Sequence, residues 1–232
     1  MRAFFYPGLA TSGETEVIQL PEREAEHLFR TLRAQKGEKV ELLDGAGNIA
    51  EAVVTGKNLL QITTVKSVPP PKVSIRIYTA VPRGNLLPAL LTSLAEVGAS
   101  AIIPVNFTRS VAKPESPNER WQMRLIEGCK QSRNLFLPTL GKVITPQEMI
   151  ADASANGCHC FYGAVGGSPD MVSAMPENLA LAIGPEGGFT AEETELMRLA
   201  GWQGISFSHN VLRLETAAVT GCALLRFFAE KH

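Results

Sequence analysis

Two loops hold the residue types from which this chain could build a reactive site. In the first, Ile183, Gly184, Pro185, Glu186, Gly187 and Gly188 close an apolar run and lead through Phe189 to Thr190, with Glu193 three positions on, the spacing of a helix capping box. Three glycines in five residues permit positive φ and close approach of a ligand to backbone N–H and C=O groups, while Pro185 stiffens the turn. The same residues also suit a tight strand-to-helix connection with no ligand. If the loop binds, a β-branched side chain at Gly187 is expected to clash or to force an unfavourable φ. In the second loop Asn210, Val211, Leu212, Arg213, Leu214 and Glu215 precede Thr216, Ala217 and Ala218 at the mouth of an apolar, small-residue helix. As a helix end, Glu215 complements the dipole and pairs with Arg213. As a cleft, the cation lowers the pKa of a bound acid and the carboxylate accepts its proton.

Other chemistries lack their residues. Neither GxGxxG nor GxxxxGK[ST] is present, nor HExxH, GxSxG or an EF-hand loop, which argues against dinucleotide, P-loop, zinc-protease and triad-hydrolase sites. His27, His159, His209 and His232 are scattered, and Cys129, Cys158, Cys160 and Cys222 form no CxxC pair at zinc spacing. No metal is expected, and the cysteines read as free thiols of a reducing compartment, with the cytoplasm as the expected location. No uncharged apolar stretch reaches about 18 residues, so no membrane partner is expected. The net charge is −1, yet residues 76–146 carry nine Lys/Arg against four Asp/Glu, and residues 147–232 four against ten. That asymmetry suits either solvated helix faces or a polyanion-binding surface.

The elements that must position these loops change character once along the chain. Up to residue 66, β-rich stretches at 17–20, 40–43, 49–54 and 60–65 are separated by turn signals such as Asp44-Gly45-Ala46-Gly47-Asn48, with one helix expected over 24–33, a small β-barrel pattern. Ser67-Val68-Pro69-Pro70-Pro71-Lys72 favours extended polyproline geometry and reads as a linker over 69–73. Beyond it, strands expected at 73–81, 101–105, 158–165, 178–183 and 204–208 alternate with helices. Of these, 87–97 repeats Leu at helical spacing, one follows Pro117 with Trp121, Leu125 and Cys129 on a stripe, and others begin at Pro146, Thr190 and Glu215. Such alternation means an α/β domain with a mostly parallel sheet, whose ligands bind at strand carboxyl ends. With 45% hydrophobic and 19% charged residues in 232, the chain has the composition of an ordinary globular protein.

The combination of IGPEGGFT (183–190), LRLETAA (212–218), SLAEVGASAIIPVNFTRSV (93–111), QSRNLFLP (131–138), the opening MRAFFYP and HLFRTLRAQKGEKVELLDG (27–45) resembles the RsmE family of small-subunit ribosomal RNA uridine-N3 methyltransferases, within the SPOUT superfamily. The resemblance runs over nearly the whole chain and departs from the family's usual pattern at Ser93, Asn134 and Gly163. It implies a PUA-like β-barrel for RNA over residues 1–68 and an α/β methyltransferase domain over 74–232 whose chain passes through a trefoil knot. It further implies a homodimer that binds S-adenosyl-L-methionine through Tyr162, Gly163, residues 183–188, Leu212, Arg213, Leu214, Thr216 and Ala217. Arg213, Glu215 and Glu186 are then the expected catalytic groups. Contacts to ribosomal RNA, naked or in the assembled small subunit, are expected from Arg2, Arg30, Arg33, Lys36, Arg109 and Arg133. Two other readings remain at this point: a SPOUT enzyme acting on a ribose hydroxyl or a transfer RNA base, and a catalytically silent RNA-binding factor.

Overall fold

The computed structural model describes residues 1–167 and 176–230; of the residues named above, His232 lies outside them. The chain divides into two compact units, Met1–Pro70 with Ile126–Leu137, and Pro71–Leu125 with Pro138–His232.

In the first unit β1 (Arg2–Phe5), β2 (Val17–Ile18), β3 (Lys39–Leu43), β4 (Asn48–Gly56) and β5 (Leu59–Ser67) form a sheet ordered β1-β3-β4-β5-β2. Only the β1–β3 pair is parallel. Period-two alternation sends Val40 and Leu42, Ala50, Ala52 and Val54, and Leu60 and Ile62 into one core with Phe4, Leu9 and Leu28, as a half-buried sheet requires. The helix expected over 24–33 starts and ends two residues earlier and is looser than its pattern suggested: α1 (Glu22–Ala25) starts behind Pro21 and widens into a π-type turn over Glu26–Thr31. The Leu32 N–H donates to the His27 carbonyl at 3.0 Å, and Arg33 ends the turn at φ +54°. Residues 126–137 belong here through the side of α3 (Glu119–Ser132) that carries Lys130. The Lys130 ammonium donates to Glu24 at 2.7 Å, the two side chains being 18% and 11% exposed, and the other Glu24 oxygen accepts the Phe5 N–H.

Among the described residues the second unit is built on six parallel strands, β6 (Ser74–Thr79), β7 (Ala101–Pro104), β8 (Thr139–Leu140), β9 (His159–Gly163), β10 (Asn178–Ile183) and β11 (Gln203–Ile205), in the order β11-β9-β10-β6-β7-β8. Central strands of such a sheet are covered on both faces and so run continuously apolar: Leu179, Ala180, Leu181, Ala182 and Ile183 are all buried. The helices are α2 (Leu87–Glu96), α3, α4 (Pro146–Ala155), α5 (Ala191–Leu199) and α6 (Leu214–Glu230). Gly98, at φ +80°, turns the chain after α2. Helix α6 buries Leu214, Ala218, Gly221, Cys222 and Leu225, and at Gly221 a Cβ would stand 2.5 Å from Leu181 Cδ2, so the helix lies directly on β10. A polar cluster ties the sheet to α4: Tyr78 and Arg76 both donate to Asp152 Oδ2, at 2.6 and 2.7 Å. Burial, then the bond to Asp152, pushes the Tyr78 phenol above its ordinary value. Burial alone would raise the Asp152 carboxyl, but the bonds from Tyr78 and Arg76 outweigh it and hold it low.

Candidate active site

The ends of β9, β10 and β11 lie at the carboxyl edge of the parallel sheet, where backbone leaving a strand is free to build a ligand site. The loops that follow enclose a cavity of about 560 Å³, walled by Tyr162 to Val165, by residues 183–186 with Gly188 and Phe189, and by residues from Ile205 to Ala217. The Ala164 N–H donates to the Ile205 carbonyl at 2.9 Å, and the Ala80 N–H to that of Ile183 at 3.0 Å. The walls therefore grow from strand ends held in the sheet.

The first loop has a defined shape. The Gly188 N–H donates to the Pro185 carbonyl at 2.8 Å, a β-turn with Glu186 and Gly187 at its centre, and Gly188 follows at φ +70°. At Gly187 φ is not positive, and a bare Cβ would meet Arg109 Cβ at an ordinary 3.4 Å, so the backbone there accepts alanine, and the clash expected of a β-branched side chain would have to come from its γ atoms against Arg109. The constraint falls on Gly188 through φ, and on Gly184, whose Cβ would press the Phe189 ring at 3.1 Å. The Phe189 ring lies edge-on to Tyr162 across 6.1 Å. Thr190 then opens α5 with both bonds of the capping box present.

Of the expected cofactor residues, Tyr162, Gly163, Ile183, Gly184, Pro185, Glu186, Gly188, Leu212, Arg213, Leu214 and Ala217 line the cavity, while Gly187 and Thr216 do not. Of the expected catalytic residues, Glu186 and Arg213 face it and Glu215 does not. Glu186 is exposed, with one oxygen accepting the Arg83 N–H at 3.1 Å. The Arg213 carbonyl accepts the Ala217 N–H at 2.8 Å and so starts α6. Residues 205–209 were missing from the expectation although Phe207 and Ser208 line the cavity, as does Asn210 at the start of the expected second loop; residues 205–209 contain no glycine and carry no local mark of a ligand. Near the cavity, burial and then the neighbouring Cys158 push the Cys160 thiol up to about 12. All four cysteines are free thiols. Among the described residues no three His, Cys, Asp or Glu side chains are grouped to hold a metal ion, and no helix is long and apolar enough to cross a membrane.

The expected RNA contacts separate. Arg2, Arg30, Arg33 and Lys36 are exposed on the first unit, where Arg30 and Lys36 border a groove with Phe29, Lys57 and Asn58. Arg30 also pairs with Glu26 at 2.6 Å and Arg133 with Glu41 at 3.2 Å. Arg109 is differently engaged: its Nη1 donates to the carbonyls of Gly187 and Phe189, at 2.9 and 3.1 Å.

Comparison with known proteins agrees with this geometry. Residues 20–65 match the model of an RNA methyltransferase PUA domain. The ribosomal RNA small subunit methyltransferase E of Synechocystis is 27% identical over 226 residues, covering 92% of this chain and 74% of that protein. The crystal structure of a probable rRNA-methyltransferase from Porphyromonas gingivalis superposes with a TM-score of 0.85 at 26% identity, over 100% of this chain and 99% of the other. A ribosomal RNA small subunit methyltransferase E from Neisseria gonorrhoeae, solved bound to S-adenosyl methionine, shares the fold with a TM-score of 0.87 at 22% identity, over 98% and 97% of the two chains. Residues 69–226, which include every residue of the cavity wall, match the model of the RNA methyltransferase domain, and the chain belongs to that family.

Proposed function

We propose that this chain transfers a methyl group from S-adenosyl-L-methionine to N3 of a uridine in small-subunit ribosomal RNA. The observation that carries the reading is the meeting of the 183–189 and 210–217 loops around one cavity, in a chain of this family. The residues fit such a cofactor. The volume lies within the range of small-molecule sites, and Ile183, Leu212, Leu214 and Ala217 offer apolar wall for a flat heterocycle. Beyond its own chain neighbours, no protein atom lies within 4 Å of where a Cβ on Gly188 would stand, leaving backbone open to a ligand. When bound, the cofactor supplies an electrophilic methyl group on a sulfonium, already a good leaving group.

What remains for the protein is the nucleophile. Uridine N3 carries a proton on its Watson–Crick edge, so the base must be unpaired or flipped out before that nitrogen can react. Arg213, facing the cavity, stabilises the N3 anion and lowers the pKa of the bound base. Glu186, the carboxylate on the same wall, accepts the proton; its tether to the Arg83 N–H leaves its second oxygen for that task. Glu215, off the wall, is the weaker candidate for that acceptor. Tyr162, Ile183, Gly184, Pro185 and Gly188 hold the cofactor.

The same reading places RNA on the first unit, a PUA-like barrel over residues 1–68, through Arg2, Arg30, Arg33 and Lys36. It makes 69–73 a linker, threads the loops after β9, β10 and β11 into a trefoil knot, and gives a cytoplasmic homodimer, for which light scattering should return about twice the 25.0 kDa chain mass. The test is methyl transfer from labelled cofactor to small subunits lacking the modification, followed by nuclease digestion. Label in 3-methyluridine supports the reading, and label on a ribose oxygen or none at all overturns it. In single turnover at saturating cofactor, Arg213→Ala and Glu186→Gln should each slow transfer by about 10²-fold or more. Near wild-type rates would make both residues pocket wall only.

A further inference from the structure

Residues 107–112 do not line the cavity, yet contacts run from them to the wall's elements and to the segment that holds Glu186. The Thr108 N–H donates to Glu193 Oε1 at 2.7 Å, while Oε2 of the same carboxylate accepts the Thr190 N–H at 2.8 Å. Glu193 is only 6% exposed, so one buried carboxylate closes both loops. Arg109 Nη1 bridges the Gly187 and Phe189 carbonyls. The buried Phe107 ring meets Phe189 edge-on at 5.1 Å, and Phe189 in turn meets Tyr162 on the wall. Ala112 forms an antiparallel bridge with Val81, two residues before the Arg83 N–H that holds Glu186.

A glycine-rich turn left to itself samples many conformations, and a ligand that binds it must bear the ordering cost at that moment. Fastening both carbonyls that flank Gly188, together with the helix cap beyond them, transfers that cost to folding. We propose that Arg109 and Glu193 are positioning residues of the cofactor loop, and that the Arg109 cation serves the cofactor site in place of an RNA phosphate. This rests on the S-adenosyl-L-methionine reading of the cavity. The bridge to two carbonyls also accounts for a cation that the charge pattern alone leaves to solvent or to a polyanion surface.

The test uses the full-length protein with three variants, Arg109→Ala, Arg109→Lys and Glu193→Gln. Affinity for S-adenosylhomocysteine is measured by calorimetry, RNA affinity across a salt series, and Tm alongside. Arg109→Ala should weaken cofactor binding about tenfold, the order of one hydrogen bond to a charged group, with the RNA salt slope unchanged. Arg109→Lys, which keeps a donor cation, should recover part of that loss. Glu193→Gln keeps one acceptor oxygen for two N–H groups and should weaken binding in the same sense. In turnover the cofactor KM should rise while kcat at saturation stays within about twofold, as loss of uniform binding requires; a fold merely loosened would lower Tm without that split. If Arg109→Ala leaves cofactor affinity intact and flattens the salt slope by about 0.7, the arginine is a phosphate contact and the inference fails. If the wild-type protein itself shows no binding heat, it is the cofactor reading that fails.

Discussion

Gly187 and Gly188 are chemically identical neighbours that the backbone treats in opposite ways, and alanine at each makes a sharp test of the site. At Gly187 φ is not positive, and an added Cβ would find Arg109 Cβ at 3.4 Å and Cδ at 3.5 Å, ordinary van der Waals separations. Gly187→Ala should therefore change little, within about 0.5 kcal/mol of wild type. At Gly188 the space is open but φ is +70°, where a Cβ crowds the carbonyl that follows at a cost of about 1–2 kcal/mol. That cost has two places to appear. If the loop keeps its shape in the free protein, stability falls; if the free loop relaxes, the shape must be restored on binding and affinity falls instead. The sum over the two should reach about 1–2 kcal/mol, which as affinity alone is roughly a 5- to 30-fold rise in Kd. Calorimetry with S-adenosylhomocysteine and urea melts on the same preparations read both shares. Equal behaviour of the two variants, or a Gly188→Ala protein unchanged in both measures, would refute the assignment of the constraint to backbone conformation.

Two further expectations concern the fold around the site. Lys130→Met strands the carboxylate of Glu24 among buried groups and should cost about 3 kcal/mol in urea melts, whereas Glu24→Met with Lys130→Met should recover most of it; a single variant within about 0.5 kcal/mol of wild type would show that the pair contributes nothing. Burial raises the thiols of Cys129 and Cys222 from 9.0 to about 12. Below pH 9 both states hold these protons and the stability is complete. Between pH 9 and 12 only the unfolded chain releases them, so stability falls by up to about 1.4 kcal/mol per pH unit for each thiol. Melts at pH 7, 9 and 10.5 should show that alkaline decline, and Cys129→Ala with Cys222→Ala should reduce it by their share, leaving that of Cys160, whose thiol burial also raises.

The parts of this fold that a reader of the sequence can find are those written locally. Strand β10 occupies 178–183, the expected span, because its apolar run 179–183 is buried throughout and the exposed Asn178 marks its start. The cap at Thr190 and Glu193 is equally legible, since donor and acceptor stand three residues apart. The parallel sheet followed from alternation of strand and helix alone. Short or irregular pieces escaped: β8 is two residues long, and the π-type turn over Glu26–Thr31 carries the same side-chain spacing as an ordinary helix until its hydrogen bonds slip by one.

What could not be read is what two distant segments do to one side chain. Glu193 is a complete capping residue on local grounds, and nothing in its neighbourhood announces that its second oxygen takes an amide from residue 108, 85 positions away. Arg109 sits in a stretch with net positive charge, so composition assigns it to solvent or to a polyanion. Only the fold puts two carbonyls within reach of its guanidinium. Carbonyls are present at every residue and leave no trace in the sequence, whereas carboxylates do. A charge count therefore sees the partners of Arg30 and Arg133, both acidic side chains, and is blind to those of Arg109. The same blindness explains Gly187 and Gly188, since both lack a Cβ and only φ tells which of them needs to.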